Sequence, residues 1–351
     1  MRKWIAAAQA GLVLAGLSGA TAQAAEHTLL PSPTTINFGN FNATNPPALT
    51  IASGDIVNIE TATQIDPADV DASGVVPPTA VKQYVRDIFR EVKDRGPGPH
   101  VLTGPIYVTG AEPGDVLEVR ILSMETITPY GYNTQRPYSG LLTEDFTQVW
   151  QRVIPINLRT KTAEVAPGVI VPVDRPFFGT IGVAPHQRLG RISSGPPGIH
   201  GGNFDNKDLT AGSTLYLPVH ARGGLLSAGD GHAAQGHGEV DVSAIEADLR
   251  GKFQIFVRKD MKLVWPRAET PTHWIVMGLA PNDLDDAMKL AVRETIKFIT
   301  ERFPSLSREE AYMIASVAVD YHVTQVVDRT VGIHGMIPKA IFAQLEAKQK
   351  K

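Results

Sequence analysis

Apolar and polar residues alternate with a period of two in short stretches that follow glycine-centred turns. Three such stretches, each preceded by a turn glycine, are 56–59, 116–121 and 214–219. In the second, Leu117, Val119 and Ile121 fall on one face, and 253–258 shows the same alternation. A period of two is typical of β-strands with one buried face. We therefore predict a β-rich domain over residues 25–260.

The pattern changes over residues 261–351. Apolar residues recur at helical spacing after Asn282, which we expect to cap a helix. Ser307 and Glu310 have the spacing of a capping box and predict a second helix. The predicted fold is therefore mainly β, sandwich- or barrel-like and of jelly-roll type. An α+β C-terminal portion is expected to pack on the same core, because no long linker separates the two parts.

Residues 1–24 have the composition of a secretory signal peptide. Arg2 and Lys3 form a basic start, residues 4–17 are apolar, and residues 22–24 supply the small side chains that a signal peptidase requires. The apolar stretch is short for a membrane span. We expect an exported protein, periplasmic or secreted, with no membrane anchor after cleavage.

Composition excludes several kinds of chemistry. The net charge of -3 offers no broad positive field for nucleic acid. The chain has no cysteine, so neither a disulfide nor a cysteine nucleophile is available. Neither the serine elbow Gly-x-Ser-x-Gly nor a phosphate- or dinucleotide-binding glycine motif occurs. The oligomeric state stays open, and a homo-oligomer is compatible with the sequence.

Polar residues concentrate in two glycine-rich clusters, residues 195–205 and 229–239. Within them, three pairs are spaced to project from one side of an extended segment: Asn203 with Asp205, Asp230 with His232, and His237 with Glu239. Imidazoles together with carboxylates suit Zn²⁺ or a similar divalent cation. Alternatively, these side chains only satisfy backbone groups in tight turns.

Five motifs in order carry a resemblance to a known family. They are LTGPIYV with GAEPGD at 102–115, FGTIGVAP at 178–185, GGNFD at 201–205, DGHAAQG at 230–236 and VGIHGMIPK at 331–339. In these motifs the chain resembles the acetamidase/formamidase family across nearly all of its length after residue 24. The resemblance implies a mainly β fold with an α+β portion. It also implies hydrolysis of the C–N bond of short linear amides, with a divalent metal.

The motifs suggest roles for individual residues. Our hypothesis gives Asp205, Asp230 and His232 the metal-ligand role, with zinc favoured and calcium or magnesium as alternatives. Glu239 would act as general base toward water and as general acid toward the departing nitrogen. A bound cation would supply the polarised carbonyl and activated water that an amide requires.

Five further residues are assigned to the oxyanion or the substrate, and one of them departs from the family pattern. Family sequences usually read Gln-Gly-Asp-Gly-Glu where this chain has His237 in place of the aspartate. His237 or Asn203 is expected to stabilise the oxyanion. Gln235, His200 and His100 are expected to bind substrate, although Asn203 and Gln235 could equally be metal ligands or turn residues.

Two alternative functions fit the same residues. One is a hydrolase of the same fold that acts on a different amide or an ester. The other is a non-catalytic periplasmic β-sandwich protein that binds a small molecule, for which the His237 departure is the main support. The sequence leaves the amide, and the identity and number of metals, open.

Overall fold

A computed structural model describes residues 24–349. The predicted signal peptide, residues 1–24, lies outside the described residues except for its last position. Strands account for 38% of the structure and helices for 19%, so the protein is mainly β with a helical C-terminal portion, as predicted. Among the described helices, none combines the length and apolar character needed to cross a membrane.

The strands are β1 (Glu26–Leu29), β2 (Ile36–Phe38), β3 (Asn40–Phe41), β4 (Leu49–Ile51), β5 (Ile56–Glu60), β6 (Val101–Val108), β7 (Val116–Thr126), β8 (Tyr130–Gln135), β9 (Trp150–Asn157), β10 (Thr162–Ala166), β11 (Val169–Pro172), β12 (Phe177–Gly182), β13 (Ile192–Ser193), β14 (Gly201–Asn203), β15 (Thr214–Pro218), β16 (Leu226–Ala234), β17 (Ile245–Glu246), β18 (Leu249–Arg258), β19 (Arg267–Glu269), β20 (His273–Pro281), β21 (Asp320–Gln325) and β22 (Thr330–Pro338). The α-helices are α1 (Pro67–Ser73), α2 (Gln83–Glu91), α3 (Leu284–Arg302), α4 (Arg308–Ala318) and α5 (Ala343–Gln349). Short 3-10 turns lie at Pro78–Ala80, Gln187–Leu189 and Lys339–Phe342.

Two large sheets enclose the main hydrophobic core. One has nine strands in the order β1-β5-β18-β7-β15-β19-β20-β22-β21. The other follows the path β11-β10-β9-β8-β17-β16-β12-β14, with β6 pairing to β16, β2 and β4. The core contains residues of both sheets. Phe178 of β12 packs edge-to-face on Phe253 of β18, with ring centroids 5.5 Å apart. This arrangement is the predicted sandwich.

The three glycine turns precede strands of the nine-stranded sheet. Gly54, Gly114 and Gly212 have φ of 98°, 92° and 90°, a backbone region open mainly to glycine. Each turn leads into a predicted strand, β5, β7 or β15, and these predictions are confirmed. In the first two turns, Asp55 and Asp115 accept a hydrogen bond from the amide three residues earlier, each at 2.9 Å. The carboxylate thereby closes the turn that starts the strand.

Helices α3 and α4 pack beside the C-terminal strands of the nine-stranded sheet. The predicted cap is shifted by one residue: Asp283, not Asn282, caps α3 by accepting from the amide of Asp286 at 2.9 Å. Asn282 instead turns the chain with φ of 51°. The capping box of Ser307 and Glu310 is confirmed at the start of α4. The boundary near residue 260 stays a prediction.

Candidate functional site

A cavity of about 130 Å³ opens where several strands of the second sheet end. Strands β16, β12 and β14 are neighbours in this sheet, and they bring the two glycine-rich clusters together. Six of the cavity's lining residues are acids or imidazoles: His100, Asp230, His232, Glu239, Glu246 and Asp328. The other polar lining residues include the amides Gln64 and Asn203 and the cation Arg136.

His232 stands at the centre of the carboxylates. Its Nε2 lies 3.4 Å from Asp230 Oδ2 and 3.3 Å from Glu246 Oε2. Its Nδ1 lies 2.8 Å from Gln235 Oε1 and 3.8 Å from Asp205 Oδ1. Because the Gln235 oxygen can only accept, Nδ1 carries a proton in this pair. We name Asp205, Asp230, His232, Glu239 and Glu246 the cavity cluster. It contains all three predicted metal ligands.

The cavity cluster fits a cation. Among the described residues, Asp205 Oδ1 and Glu246 Oε2 are buried and have no hydrogen-bond partner, and such carboxylate oxygens are costly unless a positive charge meets them. Gly179 faces the first of these oxygens: a Cβ there would lie 2.5 Å from Asp205 Oδ1 and from Asp230 Oδ2. Two sets of three residues each place their ligand atoms within 4.8 Å of one another. One set is Asp205, His232 and Glu239, and the other is Asp230, His232 and Glu246. The lack of a side chain at Gly179 keeps this space open.

Backbone geometry marks three of these acids. Asp205, Asp230 and Glu239 have φ of 52°, 58° and 45°. Residues other than glycine seldom adopt such values, and where they do, the local strain often accompanies function. The positive φ of Asp230 interrupts the regular course of β16. These three residues therefore take directions that a regular strand would not allow.

Asn203 links two acids on one side of the cavity. Its Nδ2 donates to Asp205 Oδ2 at 2.8 Å and to Asp328 Oδ2 at 2.9 Å. Its Oδ1 accepts from Thr180 Oγ1 at 2.5 Å. The amide is therefore engaged on both sides and orients the two carboxylates. Its predicted role in stabilising an oxyanion stays a prediction.

Burial and mutual repulsion disfavour ionisation of the acids on this side. Burial, with the nearby charges of Asp328 and Glu246, raises the pKa of Glu239 well above its ordinary value. Burial and the charge of Glu239 do the same to Asp205. Burial raises the pKa of Asp328 to about 6. Without a cation, these neighbouring acids therefore keep their protons to a higher pH than ordinary carboxyl groups do.

The opposite side of the cavity favours the charged forms. Burial alone would raise the pKa of Asp230, but His100 and His232 bring it well below its ordinary value. Burial alone would lower the pKa of His232, but Glu246 and Asp230 raise it well above. His100 Nε2 lies 3.8 Å from Asp230 Oδ2, which places the predicted substrate residue His100 in the cavity wall.

Four predicted site residues do not line the cavity: Asp205 and Gln235, which lie beside His232, and His200 and His237, which lie further away. His200 packs edge-to-face on Phe41, with ring centroids 5.1 Å apart, and burial lowers its pKa to about 4. His237 points toward His322, with ring centroids 4.5 Å apart. The expectation that His237 and Glu239 project from one side is wrong, because Gly238 and Glu239 have positive φ and the segment is not extended.

Three polar residues that contact predicted site residues were not predicted. Gln64 donates to Asp230 Oδ1 at 3.0 Å, Glu246 contacts His232, and Asp328 accepts from Asn203. Gln64 and Asp328 lie far from the two glycine-rich clusters in sequence, and Glu246 lies just beyond the second cluster. Asp328 directly precedes the motif that begins at Val331, and that proximity was the one available signal.

Fold and cavity define a class: a two-sheet β protein with a buried cluster of acids around one imidazole, a set of groups suited to acid–base hydrolysis. The chain matches the model of the acetamidase/formamidase family at residues 45–195 and 191–344. It belongs to this family. Among its relatives, the formamidase of Methylophilus methylotrophus is 27% identical over 305 residues, which cover 65% of this chain and 73% of that protein.

Solved structures agree with this membership. A predicted acetamidase/formamidase from Thermoanaerobacter tengcongensis superposes with a TM-score of 0.76 at 28% identity, covering 92% of this chain and 98% of that one. Acetamidase from Bacillus halodurans gives 0.75 at 31% identity, covering 91% and 99%. The predicted family and fold are thereby confirmed, and the chain is an amidohydrolase.

Proposed function

We propose that this chain is an exported, metal-assisted hydrolase that cleaves the C–N bond of a small linear amide, such as formamide or acetamide, to a carboxylate and ammonia. The family and the names of the relatives support the reaction class. The cavity volume of about 130 Å³ supports a small substrate, because it leaves room for only a few non-hydrogen atoms. Two observations carry the metal: Asp205 Oδ1, a buried oxygen without a hydrogen-bond partner among the described residues, lies opposite Gly179, and Glu246 Oε2, equally without a partner there, lies beside His232.

Asp205, Asp230 and His232 would hold the cation. Asp205 shares one candidate set of ligand atoms with His232 and Glu239, and Asp230 shares a second set with His232 and Glu246. A divalent cation supplies polarisation of the carbonyl and a lowered pKa of water. The hydrogen bond of Gln235 to His232 fixes the imidazole orientation, since Gln235 is itself held by the Asp205 carbonyl at 2.8 Å.

Glu239 is the proposed proton carrier. It takes a proton from water as the water oxygen bonds to the carbonyl carbon, and it returns that proton to the nitrogen as the C–N bond breaks. Ammonia and the carboxylic acid then leave, and the acid loses its own proton to solvent. A carboxyl group with a raised pKa suits both steps, because its carboxylate is a stronger base toward water and its acid form still donates to the nitrogen. Asn203 positions Asp205 and Asp328 beside it.

A substrate panel tests the reaction. Ammonia release from formamide and acetamide is compared with release from a bulky amide and a lactam, and acid release from an ester is measured in parallel. We expect turnover of the two small amides and little of the rest. Preference for the lactam or the ester would support the related-hydrolase alternative. Absence of turnover with any substrate, in protein loaded with Zn²⁺, Ca²⁺ or Mg²⁺, would support the binding-protein alternative.

Export is a separate part of this proposal. Its support is the basic, apolar and small-residue pattern of residues 1–24. Expression with the native N-terminus in a Gram-negative host, followed by N-terminal sequencing of the periplasmic fraction, tests it. We expect a mature chain beginning at Ala25. An intact chain that begins at Met1 and stays in the cytoplasm would contradict export without affecting the hydrolase proposal.

A further inference from the structure

Three histidines and one aspartate converge at a second point of the described structure. Asp208 follows β14, His237 follows β16, His322 lies on β21 and His334 lies on β22. Each offers one ligand atom, and these atoms all lie within 4.8 Å of one another. We name this group the histidine cluster. None of its members lines the 130 Å³ cavity.

The fold itself brings the imidazoles together. His322 and His334 are direct partners across the antiparallel pair β21–β22, so their side chains share one face. Their ring centroids are 5.2 Å apart, and the ring of His237 lies 4.5 Å and 5.4 Å from theirs. The amide of Gly238 donates to the Thr324 carbonyl at 3.1 Å, which fixes the loop that carries His237 beside β21.

The hydrogen bonds around the cluster suit metal ligands. His334 Nδ1 pairs with Thr324 Oγ1 at 2.8 Å, which directs Nε2 toward Asp208 Oδ2, 3.2 Å away. A partner on the far ring nitrogen is the usual arrangement for a metal-binding histidine. His322 Nδ1 is buried and has no hydrogen-bond partner among residues 24–349. His334 Nε2 is therefore oriented toward Asp208, and His322 Nδ1 is available as a metal ligand.

We propose that Asp208, His237, His322 and His334 form a second divalent-cation site, selective for Zn²⁺ over Mg²⁺ and Ca²⁺. Three imidazoles and one carboxylate are the donors of borderline transition metals, whereas Mg²⁺ and Ca²⁺ prefer oxygen ligands. Four protein ligands match a closed tetrahedral site, in which ligand atoms lie about 3.3 Å apart. Binding therefore draws the four atoms slightly inward.

The site goes beyond the proposed hydrolysis and has its own consequence. The third imidazole comes from His237, on the loop after β16. His237 is also two residues from Glu239. A zinc ion held here would tie the loop after β16 to the β21–β22 pair, so its expected role is structural: fixing the segment from which Glu239 enters the cavity.

Metal stoichiometry tests the site directly. Metal-free protein is dialysed against Zn²⁺ and its zinc content per chain is measured. His322→Ala is expected to lose one equivalent relative to the parent chain, and His237→Ala to weaken that equivalent roughly 100-fold or more. His186→Ala is the matched control, because it removes an exposed histidine on a different loop. Circular dichroism verifies that each variant is folded. If His322→Ala does not fold, the test rests on His237→Ala, which changes an exposed position.

Two outcomes would overturn the proposal. One is an unchanged zinc content in both folded variants. The other is a zinc X-ray absorption spectrum without a site of three imidazoles, recorded on Asp205→Asn/Asp230→Asn protein to remove the cavity contribution. Because the readout is zinc bound by the histidine cluster, the result is independent of amide turnover. Failure of the hydrolase proposal would therefore leave this test intact.

Discussion

The cavity cluster and the histidine cluster use the same two kinds of side chain in opposite proportions. In the first, Asp205, Asp230, Glu239 and Glu246 surround one imidazole, and all are buried. In the second, three imidazoles meet one carboxylate, and His237 is exposed. The excess of buried acid requires a cation and supplies proton carriers. The excess of imidazole supplies ligands for zinc. The ratio of carboxylates to imidazoles therefore distinguishes the catalytic role proposed for the cavity cluster from the structural role proposed for the histidine cluster.

The largest expected effect is at Glu239. Glu239→Gln removes the proton carrier but keeps the shape and leaves the predicted metal ligands in place. We expect amide turnover to fall about 10²- to 10⁴-fold while the metal content of the cavity persists. Steady-state ammonia release and elemental analysis measure both. Glu309→Gln, on the exposed first turn of α4, is the control. Full activity of Glu239→Gln would remove this residue from the reaction.

Gly179 offers the next test. Gly179→Ala places a methyl group 2.5 Å from oxygens of Asp205 and Asp230, the space assigned to the cation. We expect cavity metal affinity and turnover to fall roughly 10- to 100-fold. Gly236→Ala is the matched control, because a Cβ there meets nothing within 4 Å. Metal binding at parental affinity in folded Gly179→Ala protein would place the cation elsewhere.

His200 contrasts with His232, because both are buried but His200 has no carboxylate partner among the described residues. Its pKa is lowered to about 4, so the unfolded chain binds a proton more readily below pH 6.5. This residue should therefore cost stability as the pH falls from 6.5 toward 4, about 3 kcal/mol in total. Urea unfolding at pH 7.5 and 4.5 should show a smaller pH dependence for His200→Gln. An equal dependence in both proteins would contradict this assignment.

The smallest effect is at Lys207. Partial burial and the charge of Lys207 lower the pKa of His237 to about 4, and the same charge opposes a cation in the histidine cluster. Lys207→Gln should tighten zinc binding there about two- to threefold, with little change at the cavity. Competition titration with a zinc chelator measures the difference. Weaker binding in the histidine cluster of Lys207→Gln would contradict the proposed electrostatics.

The periodic patterns predicted the fold well. A period of two located β5, β7, β15 and β18, and helical spacing located α3 and α4, because burial of one face imposes the period directly. The cap of α3 was misplaced by one residue, because Asn282 and Asp283 are both good capping residues. The pairing of strands, in contrast, follows from contacts between distant segments, which local periodicity does not encode.

The site was predicted in part. The two glycine-rich clusters meet because β12 lies between β14 and β16, a pairing of distant strands that local spacing does not encode. Glu246 lies on a two-residue strand and Asp328 in a loop, so neither had a pattern to reveal it. His237 was assigned to the wrong neighbourhood because left-handed residues at 238 and 239 turn the chain. Backbone direction at such residues depends on tertiary contacts.

One measurement tests the central claim, that the cavity cluster binds a cation needed for amide hydrolysis. Ammonia release from formamide and acetamide is followed for the purified protein, for the same protein after complete chelation, and after metal is restored. His322→Ala protein, treated identically, separates the cavity from the histidine cluster. We predict that chelation abolishes turnover in both proteins. Metal should restore it fully in the parent chain and to a lower level in His322→Ala protein, where the segment that carries Glu239 is less well fixed. Full turnover by chelated protein with no measurable metal would show that amide hydrolysis needs no bound cation.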